Sequence, residues 1–180
     1  QIFIWQFNLP GSSIRTSGQQ ITEVLEHLLH TLVRFALPGA YPNEFKFNNQ
    51  ILSGELYEAA KEAIEKGVYD PSDYLHLGKD SFEYWKTVLV EYQYALTYAE
   101  WGFIQKYTDG LEWSDSYLTP DSIEKANPLG HKLFKEHIRT VISKPSTIQL
   151  ENIFQANNLG ISGYIADIVN DTGGYKGDWS

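Results

Sequence analysis

FEYWKTVLVEYQYALTYAEWGFIQKY, residues 82–107, decides the fold. It has no proline, and its apolar residues fall on nearly every side when wound at about 100° per residue. Such a segment cannot lie on a surface, so it reads as a long central helix that others must surround. Asp80 and Glu83 give it a start resembling a capping box, and Asp109-Gly110 is the expected stop. The expected span is about 81–107.

Outward from that segment, punctuation divides the chain into further helices. GELYEAAKEAIEKG (residues 54–67) has Leu56, Ala59, Ala60, Ala63 and Ile64 at helical spacing, with Ser53 as expected N-cap and Gly67 as stop. Thr119-Pro120 and Asn127-Pro128 each place a capping residue before a proline that can open a helix. The second of these helices should run to Ser143, ahead of Pro145; another opens at Ser146 and reaches about Gln155, and 161–169 can form a last short one. Residues 68–78 read as a loop. The reading is all-α: a single helical domain of about six helices over 13–180, preceded by an extended N-terminal arm over 1–12. That arm, QIFIWQFN at its start, is apolar on both faces and ends at Pro10-Gly11.

Composition limits the functions. With 42% hydrophobic residues, 12 Tyr and 5 Trp among 180, the chain can bury a core. A formal charge of −9 and no basic stripe argue against nucleic acid as partner. Apolar runs fall short of the roughly 20 residues that span a bilayer. There is no Cys and no Met, even at position 1, so the chain is expected to be either processed, as a secreted protein beginning at Gln1, or part of a larger one. The aromatic side chains fit a helical core with hydroxyls turned outward, or a cleft for sugar or peptide.

The first helix, about Gln19 to Ala36 with Pro38-Gly39 ending it, carries the one pattern with specific chemistry. Ile21, Val24, Leu25, Leu28, Leu29, Leu32, Phe35 and Ala36 fall on one side; Glu23, Glu26, His27, His30 and Arg34 fall within about 100° on the other. Such a face can be merely solvated, since Glu23–His27 and Glu26–His30 are i,i+4 pairs in the favoured order, each worth a few tenths of a kcal/mol. It can also hold a metal: His27 and His30 project the same way and could share an ion about 2.0–2.1 Å from each nitrogen. Glu26 would then serve as base, and Glu23 as a ligand or a partner behind the ligands.

Glu26-His27-x-x-His30 resembles the zincin metallopeptidase helix over these few residues, with the histidines three apart rather than four and the glutamate before them. The resemblance implies zinc and peptide or related hydrolysis. A third ligand would come from the central helix, where Glu91 and Glu100 sit in apolar surroundings that make an unpaired carboxylate costly by several kcal/mol. The two are about 180° apart, so at most one faces the histidines; Glu91, between Val88 and Ala95, is preferred. His131 and His137 lie six apart on one helix and would not share an ion, His76 stands alone, and Asp167, Asn170 and Asp171 lack calcium-loop spacing. The expectation is therefore a secreted zinc-dependent hydrolase with His27, His30 and Glu91 as ligands and Glu26 as catalytic base. The alternative is a non-catalytic extracellular binding or assembly module that engages a protein partner, or a second copy, through residues 1–8.

Overall fold

The computed structural model describes residues 17–46, 52–108 and 111–153; the arm expected over 1–12, the short helix expected over 161–169 and the stop at Asp109-Gly110 lie outside them. The architecture is all-α. The elements are α1 (Ser17–Thr31), α2 (Leu37–Ala40), α3 (Glu55–Glu65), α4 (Phe82–Trp101), α5 (Ile104–Tyr107), α6 (Pro120–Ala126), α7 (Pro128–Leu133), α8 (Arg139–Val141) and α9 (Thr147–Ile153). Leu32–Ala36 is a π-turn joining α1 to α2, and Phe134–Ile138 another joining α7 to α8.

Helix α4 is the axis. From Val88 to Trp101 every residue is buried except Glu91, which is half-buried. Around it pack α1, α3, α6 and the second π-turn, and α7 lies across α3 and α6. The helix is shorter than the expected 81–107. Ser81, rather than Asp80, is its N-cap, accepting from the Tyr84 amide at 3.1 Å. Gly102 ends it: at φ 67° and ψ 35° it adopts the left-handed conformation, and the amides of Gly102 and Phe103 bond back to the carbonyls of Ala99 and Tyr98. The chain then restarts as α5.

Two further boundaries differ from expectation. Helix α1 does not stop before Pro38 but turns on through α2 to Ala40. A proline inside a regular helix clashes with the carbonyl four residues back; the π-turn before it, closed by the Leu37 amide on the Leu32 carbonyl, widens the backbone at that point. Helix α3 begins at Gly54 (φ 101°), not on a Ser53 cap. Ser53 pairs instead with Lys46 in an isolated bridge, and the Leu56 amide donates to the Glu44 carbonyl at 3.0 Å. A Cβ on Gly54 would lie 2.6 Å from that carbonyl oxygen, so only glycine fits. The loop expected at 68–78 holds a 3-10 turn, Ser72–Leu77, tied down by the isolated Tyr69–Trp113 bridge.

The orientation of α1 sets up the site. Its buried stripe is Ile21, Leu25, Leu29 and Val33, continued by Leu37 of α2. Positions four apart drift about 40° per step around an ideal helix. The π-turn takes one more residue to close and so carries Leu37 back toward the core. The expected apolar side was too wide: Leu28 is 46% and Phe35 73% exposed. Each fully buried aliphatic side chain contributes about 1.5–3 kcal/mol, so a five-residue stripe fixes the helix at the expense of its neighbours. At this rotation Glu26 and His30, one turn apart, lie at the edge that meets α4.

Candidate metal centre

Across the α1–α4 contact, His30 Nε2 lies 3.1 Å from Glu91 Oε2, with the two side chains only 14% and 19% exposed. The Glu26 carboxylate joins them: one oxygen of Glu26, one nitrogen of His30 and one oxygen of Glu91 all lie within 4.8 Å of one another. Three potential ligands therefore converge from two helices, and Glu91 reaches them because it occupies the half-buried position in the otherwise buried run of α4. Two ligand atoms each about 2.1 Å from one ion, at about 95–110°, stand about 3.1–3.4 Å apart. The His30–Glu91 separation falls in that interval.

The charges do not balance. Two carboxylates face one imidazole, and among the described residues no lysine or arginine pairs with either acid. Glu26 accepts no hydrogen bond and forms no ion pair among them. Burial pushes its pKa up, with Glu91 and Glu23 adding to the rise while His30 and His27 oppose it. A half-buried acid with no partner, beside a second acid, suits a cation.

His27 stays out of this group. Its Nδ1 lies 2.8 Å from the Glu23 carbonyl, which can only accept, so that nitrogen carries the proton. Its ring centre is 6.3 Å from that of His30, tilted by 42°. Of the residues predicted from sequence, His30 and Glu91 meet directly, Glu26 brings an oxygen within 4.8 Å of both, and His27 is turned along its own helix. Glu100, on the far side of α4, bonds His131 Nδ1 at 2.8 Å. His137 lies 3.4 Å from Glu55, so the two histidines of that helix serve different acids. His76 Nδ1 lies 2.8 Å from the carbonyl of Asp73. Asp167, Asn170 and Asp171 fall outside the described residues.

Tyr94 was not singled out in the sequence, though it follows Glu91 by three and so shares its face of α4. Its ring meets that of His30 edge-on, centres 5.8 Å apart at 86°. Burial, then Tyr98, Glu26 and Glu91, keep the phenol protonated far above its ordinary range.

A second group, Glu55, Glu136 and His137, also brings three ligand atoms within 4.8 Å. There Lys132 already supplies the positive charge, 3.2 Å from Glu55 and 3.6 Å from Glu136. Among the described residues the Glu26–His30–Glu91 centre has no such lysine, which ranks it first. No family model matches the chain, and neither the curated proteins nor the solved structures provide a match that could lend it a function.

Proposed function

We propose that the protein is a metal-dependent hydrolase whose centre is Glu26, His30 and Glu91, with zinc as the ion. The observation that carries this reading is the unpartnered, half-buried Glu26 carboxylate within 4.8 Å of a His30–Glu91 pair. Zinc bound by three protein ligands supplies a Lewis acid that activates water at the remaining position. His30 would bind through Nε2, the nitrogen that faces Glu91 at 3.1 Å, once that nitrogen carries no proton. Glu91 holds the ion from α4. Glu26 would complete the set with one oxygen and leave the other to take the proton of the attacking water.

Elemental analysis and titration calorimetry with zinc test the proposal. One equivalent is expected in the intact protein, with affinity falling about 100-fold or more in Glu91→Gln and His30→Ala and by less than about threefold in His27→Ala. An intact protein that binds no stoichiometric zinc sinks the reading. Zinc-dependent cleavage of a mixed peptide and ester library, lost in Glu91→Gln, then tests hydrolysis itself.

A different observation favours the second reading, an assembly module. Leu28 on α1 and Phe35 in the π-turn that follows it expose apolar surface. A second copy would cover them together with residues 1–8. Sedimentation velocity on the whole chain and on Phe35→Asp decides: a monomer in both rejects it.

A further inference from the structure

The second group of converging ligands, Glu55, Glu136 and His137, contains an imidazole that the fold leaves unpaired. The side chain of His137 is 14% exposed, and both of its ring nitrogens are buried with no hydrogen-bond partner among the described residues. The other four histidines each hold a ring nitrogen 2.8 to 3.1 Å from a carbonyl or carboxylate oxygen. Buried polar groups are nearly always satisfied, and leaving one unpaired is costly. The rings of Tyr41 and Phe45 flank the imidazole, their centres 4.6 and 6.2 Å from its own. Its Nε2 is 3.4 Å from Glu55 Oε2, a contact that makes no hydrogen bond. Two ligand atoms about 2.1 Å from one tetrahedral ion stand about 3.4 Å apart. Glu136, the residue before His137, brings a third ligand atom within 4.8 Å of both. Lys132 holds the other oxygen of Glu55, Oε1, at 3.2 Å and lies 3.6 Å from Glu136 Oε2, so one ammonium offsets only one of two carboxylate charges. Glu55 and Lys132 also line a surface cavity of about 540 Å3, with Glu44 and Glu58 on its wall, which gives a cation an acidic approach from solvent.

We propose that Glu55, Glu136 and His137 bind a second zinc ion, through Nε2 of His137 and Oε2 of Glu55, and that this ion ties the start of α3 to the π-turn between α7 and α8. One imidazole with two carboxylates is a donor set that suits zinc better than magnesium or calcium. The site shares no residue with the Glu26–His30–Glu91 centre and stands or falls separately. Lys132 keeps a positive charge beside the ion, so this is the weaker site and fills after the first. Its role is structural: it joins segments about 80 residues apart in the chain and stabilises the fold in proportion to its occupancy.

The experiment titrates zinc into the full chain carrying His30→Ala and Glu91→Gln, which disables the first centre, and measures binding by calorimetry. One zinc should still bind. Adding Glu136→Gln should weaken it about tenfold or more. That side chain is 54% exposed and its ion pair with Lys132 is its one described contact, so the fold should survive the change. Adding Lys132→Gln instead should tighten binding about fivefold or more, because a like charge a few ångströms from the ion is gone. Lys86→Gln removes the same charge from a different part of the surface, where salt screens it, and should change the affinity by less than about twofold. In the intact chain, nuclear magnetic resonance of the histidine rings reads the two sites apart: the His137 signals should shift as zinc is added, and those of His30 report the first centre. Absence of zinc binding in the His30→Ala, Glu91→Gln background overturns the second site, whatever the first centre does. So does an affinity that Glu136→Gln leaves unchanged, an equal effect of the two lysine substitutions, or a set of His137 signals that stays fixed at saturation.

Discussion

Asn127 shows how much one polar side chain can decide. It is fully buried, accepts from Tyr92, and donates to the Ala59 carbonyl at 3.1 Å and to Glu62 at 2.8 Å. Glu62 in turn accepts from the Leu129 amide at 2.9 Å, so a carboxylate of α3 caps α7 from across the fold. Gly130 packs against this network so closely that a Cβ there would sit 2.1 Å from Asn127 Oδ1 and 2.4 Å from the Tyr92 hydroxyl oxygen. Alanine normally gains about 1 kcal/mol over glycine inside a helix. At Gly130 the overlap reverses the sign, and Gly130→Ala should lose about 1–3 kcal/mol in urea denaturation. Gly39→Ala is the control, since nothing lies within 4 Å of its Cβ position; it should be neutral or slightly stabilising. From sequence, Asn127-Pro128 could be read only as a helix start, because capping is a local signal. The partners that give Asn127 its weight lie 35 and 68 residues away in the chain.

At the scale of the element, α4 was legible because no arrangement but a surrounded helix can bury that many apolar residues. Its end was not, since an aromatic-rich sequence continues on both sides of Gly102 and composition alone does not mark the break. The left-handed φ is what marks it. Gly102→Ala has room for a methyl group but not the conformation, so it should cost about 1–2 kcal/mol, read as a lower melting temperature. A variant as stable as the parent would mean that the α4–α5 break is not held by this residue. The π-turns at Leu32–Ala36 and Phe134–Ile138 had no sequence signal of their own. They are set by packing, and the first decides which residues of α1 face inward. For that reason Leu28 and Phe35 were misplaced, while the Glu26–His30 edge, four residues apart, survived the change in rotation.

For the molecule as a whole, the candidate centre is a place where folding and binding pull in opposite directions. Glu26, surrounded by His30, Glu91, Glu23 and His27, has its folded pKa raised above the unfolded value, chiefly by burial. Its ionised form is thus disfavoured in the fold. The penalty is absent at pH well below the unfolded carboxylate value, grows as pH rises from there through the raised folded pKa, and is complete above it. Glu26→Gln removes that penalty. In denaturant titrations without metal, the variant should be more stable than the parent at neutral pH, and the gain should vanish on acidification below about pH 4.5. With zinc the order should invert. At a hundredfold excess over its dissociation constant, an ion that binds only the folded state stabilises by about 2.7 kcal/mol. The parent receives this, whereas the variant lacks one of its three ligands and receives much less. A metal-free variant less stable than the parent at pH 7 would show that Glu26 has a stabilising partner in the fold. The charge imbalance would then be a property of the α1–α4 contact alone, with no cation needed to resolve it.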